Sequence, residues 1–116
     1  MAISGTITGL FDNYRNYDIS ITGAVLGSSN TTPIFRSHGF VIGSWTLQGS
    51  LTTPSVTLQG SNDGVNFFAI GTAVTATGIF TMANPTNLVP TFYNFNLGAS
   101  GSGTASIFVT LMSTFG

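Results

Sequence analysis

Val56-Thr57-Leu58-Gln59-Gly60-Ser61-Asn62-Asp63-Gly64-Val65-Asn66-Phe67-Phe68 is the stretch on which the reading of this chain turns. Val56 and Leu58 alternate with Thr57 and Gln59. That period of two puts apolar side chains on one face of a strand and polar ones on the other. Asn62-Asp63-Gly64 follows at once, and Asn/Asp-Gly sequences supply the positive φ that tight hairpins demand. An apolar, aromatic run then resumes. The segment predicts a hairpin that pairs Val56–Gly60 with Val65–Ile70, with Asn62, Asp63 and Gly64 as its structural turn.

The same texture extends in both directions. Alternation recurs in Ile19-Ser20-Ile21-Thr22, in Trp45-Thr46-Leu47-Gln48 and in Ile107-Phe108-Val109-Thr110-Leu111. Helix formers are scarce, while Thr, Val, Ile and Phe abound and Gly and Pro interrupt at short intervals. Strands are expected near 3–9, 17–26, 33–37, 39–49, 54–60, 65–71, 73–82, 88–97 and 103–113. The runs 28–33 and 98–103 read as loops, the second as a hairpin loop. Thr46-Leu47-Gln48-Gly49-Ser50 is echoed by Thr57-Leu58-Gln59-Gly60-Ser61, either by chance or by ancestral duplication. The two are read as neighbouring strands, with Leu47 and Leu58 pointing into one core and Gln48 and Gln59 pointing out. The fold class is therefore all-β: a single antiparallel β-sandwich of jelly-roll type, with residues 1–116 as one domain.

Charge is the unusual feature of the composition. Only 4% of the 116 residues are charged, against about 25% in a typical soluble domain. They are Asp12, Arg15, Asp18, Arg36 and Asp63. No apolar run approaches the roughly 20 residues that a spanning helix needs, so no membrane partner is expected. Two Arg and no Lys cannot build the electropositive footprint that phosphate contacts require, so no nucleic acid is expected either. The chain has no cysteine and hence no disulfide staple or thiolate metal site. Met1-Ala2-Ile3-Ser4-Gly5-Thr6 has neither a basic nor an apolar signal region, so synthesis without a secretory signal is expected. A surface built from Ser, Thr, Asn, Gln and Gly suits a protein that works inside an assembly, because near-neutral surfaces tend to associate.

The inventory for chemistry is thin. His38 is the sole histidine, and a general base needs a partner that orients it. No nucleophile elbow frames a serine, since Gly101-Ser102-Gly103 sits in a turn-like run. Asp12 and Asp18 flank Asn13-Tyr14-Arg15-Asn16-Tyr17. That segment reads as a surface loop in which Arg15 pairs with one Asp, or else as a calcium or sugar-contact loop. No catalytic residue, cofactor or metal ligand is assigned. Trp45, Tyr14, Tyr17 and Tyr93 are the candidate interface or sugar-stacking aromatics. Phe92-Tyr93-Asn94-Phe95 and Phe67-Phe68 occupy both registers of a strand. Either a ring is exposed there, or both faces are buried.

Val56 to Phe67, in which a strand ending Gln59-Gly60-Ser61 meets Asn62-Asp63-Gly64 and then a strand opening on an aromatic, resembles small β-sandwich virion proteins of tailed phages. The closing run Gly103-Thr104-Ala105-Ser106-Ile107-Phe108-Val109-Thr110-Leu111 is similar too, and the resemblance spans residues 40–112. Discoidin-like and carbohydrate-binding sandwiches carry a like strand-turn-strand. The chain departs from the sugar-binding versions in lacking a cluster of Trp, Arg and acidic residues. The resemblance implies a jelly-roll capsid decoration (cement) or fibre subunit, often trimeric, seated on other virion proteins of a capsid or tail. It carries over no functional residue. The expectation is a non-enzymatic structural protein of the virion, made in the host cytoplasm and homo-oligomeric. The alternative is a carbohydrate-binding module or receptor-binding tip that stacks a glycan on exposed aromatics. An enzyme built on His38 ranks last.

Overall fold

Thr104–Met112 forms the strand that best displays the period of two: Ala105, Ile107, Val109 and Leu111 are at most 1% exposed, while the residues between them face outward. It is one of nine strands in a computed structural model that describes residues 3–11, 16–38, 40–81 and 90–112. In chain order these are β1 Thr6–Phe11, β2 Asn16–Val25, β3 Phe35–Arg36, β4 Val41–Gln48, β5 Thr57–Ser61, β6 Phe68–Ala69, β7 Gly78–Thr81, β8 Phe92–Asn96 and β9 Thr104–Met112. Each lies within or beside a stretch expected from the sequence. Among the described residues there is no helix long and apolar enough to cross a membrane.

The strands form a five-stranded sheet, β1-β2-β9-β4-β7, and a four-stranded sheet, β3-β8-β5-β6, in which every neighbouring pair is antiparallel. The pairings β5–β6, β4–β7, β3–β8 and β2–β9 are nested. They describe one long hairpin whose two arms fold over together, each step outward landing in the opposite sheet. That is the jelly roll, with β1 added at one edge. Its apex is the loop between β5 and β6, which holds Asn62, Asp63 and Gly64.

The core lies between the sheets. Ile19, Ile21, Trp45 and Leu47 join the β9 residues from one side, and Phe35, Leu58, Tyr93 and Phe95 come from the other. Two β-bulges adjust the phase of the longer strands. One lies between Ile21 and Ala24 of β2, the other between Ile42 and Ser44 of β4. An extra residue in a strand switches the buried face from odd to even positions. For this reason Ile19 and Ile21 are followed inward by Ala24, and Ile42 by Trp45 and Leu47.

Two expectations about connections are corrected. The echoed segments are not neighbours in one sheet: β4 and β5 belong to opposite sheets. Leu47 and Leu58 do enter one core, at 0% and 3% exposure, but they enter it from opposite sheets. The run from Gly98 to Gly103 is likewise not a hairpin loop. It carries the chain from β8 in one sheet to β9 in the other, and Ser102 exchanges two 3.0 Å backbone hydrogen bonds with Thr52 of the β4–β5 crossover. The glycines make this approach possible. Gly103 has φ +113°, and a Cβ there would stand 2.6 Å from the Ser50 carbonyl oxygen.

Candidate functional site

The apex turn is held by its own side chains. Asp63 Oδ1 accepts the backbone N–H groups of Val65 at 2.9 Å and Asn66 at 2.8 Å, and the Ser61 hydroxyl at 2.8 Å. Its Oδ2 accepts from Asn66 Nδ2 at 2.8 Å. Ser61 Oγ in turn accepts from the N–H groups of Asp63 at 3.2 Å and Gly64 at 2.9 Å. Asn62 Oδ1 ties the turn to the start of β8 by accepting from Thr91 N–H at 3.2 Å. Gly64 takes φ +76° and lies against the Phe92 ring, and the Arg36 guanidinium stands over that ring at 5.1 Å from its centroid. Every residue of Asn62-Asp63-Gly64 thus has a task in shaping the loop.

The hydrogen bonds to Asp63 stabilise its charged form. The N–H groups of Asn66 and Val65, then the Asn66 amide and the Ser61 hydroxyl, hold its carboxyl well below the ordinary value of 3.8. A depressed folded-state pKa means a contribution that is fully present above the unfolded value and is lost as pH falls through the folded one. Thermal melts from neutral pH down to about 2 should therefore show Asp63→Asn less stable than the parent at neutral pH. The gap should narrow as the solution becomes acidic. A gap that stays constant through the acid range would contradict this account of the turn.

The candidate aromatics divide. Trp45 is 3% exposed, with ring centroids of Phe95 at 4.8 Å and Phe80 at 5.1 Å. Tyr93 is 3% exposed and packs on Phe35 at 5.6 Å, and burial pushes its hydroxyl up to about 12. Both are core residues, which corrects their assignment as interface or stacking rings. The β4 bulge turns Trp45 inward, and Tyr93 shares the inward register of Phe95. Tyr17 is half-buried on β2, with its hydroxyl over Gly9 of β1 and its ring 5.2 Å from His38. Tyr14, Asp12 and Arg15 lie outside the described residues. His38 is exposed, in a turn at φ +52°. Asp18 lies half-buried on β2. No group of three or more His, Cys, Asp or Glu side chains gathers as a metal site among the described residues.

The exposed large apolar residues are others. Ile79, Phe108 and Met112 belong to the five-stranded sheet, and Phe68 to β6 at the edge of the four-stranded sheet. On the outer face of the four-stranded sheet a recess of about 310 Å³ is walled by Ile3, Ile34, Val65 and Phe67. Its polar lining includes Gln59 of β5 and Asn94 and Asn96 of β8. Ile3 is held there by a bridge between its segment and Thr31, supported by a 2.7 Å hydrogen bond from Ser4 N–H to the Thr31 carbonyl. The apex loop supplies Val65 and Phe67. Asn94 is only 4% exposed although it points away from the core, and its Oδ1 has no hydrogen-bond partner among the described residues. The sequence flagged Phe92–Phe95 as a problem of register but did not single out Asn94.

No protein-family model matches the chain, and no curated protein matches its sequence. Among solved structures, the SPBc2 prophage-derived protein YomS is similar at TM-score 0.62 and 14% identity, over 90% of this chain and 100% of YomS. A cupin domain from Bordetella pertussis Tohama I aligns over 96% of each chain at 14% identity, with a TM-score of 0.44. At such identity the likeness to YomS is one of fold. The chain is an all-β protein of two antiparallel sheets, wound as a jelly roll, and it shares its architecture with a prophage-derived protein.

Proposed function

We propose that this protein is a non-enzymatic structural component of a phage particle: a capsid decoration subunit or a related fibre or tail subunit. The observation that carries this reading is the likeness to prophage-derived YomS, which the chain matches over the whole of that protein's length. Composition supports it independently. With charged residues at 4% of the chain, contact surfaces can be buried against neighbours with few charges to desolvate. Exposed Phe68, Ile79 and Phe108 add apolar area to those surfaces.

The mechanism is passive. The rolled hairpin provides a rigid body, and its neutral faces and edge strands dock through apolar contact and hydrogen bonds from Ser, Thr and Asn. Subunits of this kind associate with each other as well as with the other virion proteins. Light scattering behind size exclusion should give a trimer or larger, with a mass that does not change between low and high salt, because few charges take part. A monomer at every concentration would overturn self-association. An oligomer that dissolves as salt rises would overturn the neutral-contact mechanism.

A further inference from the structure

Asp63-Gly64 is the only place in the chain where Asp or Asn precedes Gly, and that pairing carries covalent chemistry of its own. The backbone nitrogen of the second residue can attack the side-chain carboxyl carbon of the first. An N–C bond forms and a C–O bond breaks. The amide proton and the carboxyl hydroxyl leave as one water, and a five-membered succinimide remains. Water then reopens the ring at either carbonyl, which returns Asp or gives isoaspartate. Gly promotes the attack because it has no Cβ to crowd the approach or restrict the backbone. Asp63 is also exposed to the water that the second step consumes. Sequence and exposure therefore favour the reaction at this position.

The folded turn opposes it at both reacting groups. The Gly64 N–H, which must give up its proton, donates to Ser61 Oγ at 2.9 Å. The Asp63 carboxyl must take up a proton to lose water, yet it is surrounded by donors. Its Oδ1 accepts from the N–H groups of Val65 and Asn66 and from the Ser61 hydroxyl, and its Oδ2 accepts from Asn66 Nδ2. Such donors favour the charged carboxylate and fix its position. We propose that Asp63-Gly64 is a site of isoaspartate formation that the apex turn keeps closed in the folded protein, with Ser61 and Asn66 as the guarding side chains. Protection and damage are linked. Isoaspartate routes the backbone through the Asp63 Cβ and leaves the carboxylate on Cα, so the bonds to Val65 and Asn66 cannot re-form as they stand. Opening the turn permits the reaction, and the product prevents the turn from closing. This inference does not depend on the virion reading, which particle composition tests separately.

The test is prolonged incubation of the full chain at neutral pH, folded in buffer and unfolded in urea. Isoaspartate is counted by enzymatic methylation and located by peptide mapping. The unfolded chain should accumulate it at Asp63 at least about tenfold faster than the folded one. Folded Ser61→Ala loses the acceptor for Gly64 N–H and a donor to Oδ1, and should react about fivefold faster than the parent. Asn66→Ala removes the donor to Oδ2 at an exposed position and should also accelerate. Val109→Ala weakens the core on β9 without touching the turn, and while folded it should react at the parent's rate. Equal rates in the folded and unfolded chain overturn the proposal, as does parental behaviour of both turn variants. Equal acceleration by Val109→Ala would assign the protection to global folding and overturn the role of Ser61 and Asn66.

Discussion

Phe95→Ala should destabilise the protein by about 3–5 kcal/mol, read as a fall in the urea midpoint at unchanged m-value. Phe95 is fully buried on β8 and touches the other sheet directly, with its ring centroid 4.8 Å from Trp45 and 6.2 Å from Phe35. Truncation removes apolar burial from the centre of the sandwich and leaves a cavity bounded by strands of both sheets, which cannot collapse without moving the backbone. Domains of this size are stable by only roughly 5–15 kcal/mol, so the variant should be visibly less populated when folded. A loss below about 1 kcal/mol would mean that the sheets do not meet at this ring.

Trp45→Ala should have a similar effect, again about 3–5 kcal/mol, and for a related reason. Its ring is the register partner of Phe80 across β4–β7 and the packing partner of Phe95 across the core. Because Trp45 and Phe95 are in contact, the double variant should depart from additivity. The coupling expected for an aromatic pair is about 0.5–1.5 kcal/mol. The outcome also separates the two roles considered for this residue. A surface ring used for stacking could be removed with little loss of stability. If the Trp45 variant keeps its urea midpoint, the ring does not belong to the core.

Much of the architecture was legible because alternation and turn chemistry act locally. The run from Val56 to Phe68 contains a strand, its partner and the residues that reverse the chain between them. The observed turn adds side-chain hydrogen bonds around Asp63 that the sequence did not specify. Strand order across two sheets was less accessible. The echoed Thr-Leu-Gln-Gly-Ser segments look like neighbours, yet the winding of the roll places β4 and β5 in opposite sheets. An alternating pattern states which face is buried but not which sheet the strand joins.

The bulges set the second boundary. Gly43 and the Thr22-Gly23 pair do not stand out in a chain with 15 glycines, yet the first decides that Ile42 and Trp45 both point inward and the second that Ile21 and Ala24 do. The aromatic candidates divided along the same line. Their chemistry was visible, but their burial depended on phase and on the facing sheet. Asn94 was the hardest to find, because an asparagine within a strand looks like an ordinary outward polar residue. It becomes notable only when the Ile3 segment and the apex loop, distant in sequence, close over it and leave its oxygen without a donor.

The most direct measurement of the central proposal is quantitative mass spectrometry of purified phage particles from cells that express this protein, calibrated with isotope-labelled peptides of the chain. The account predicts that the protein copurifies with intact particles at a fixed copy number relative to the major capsid or tail proteins and remains through a high-salt wash. Particles that are complete and infectious without it, with the protein left entirely in the soluble fraction, would contradict the account.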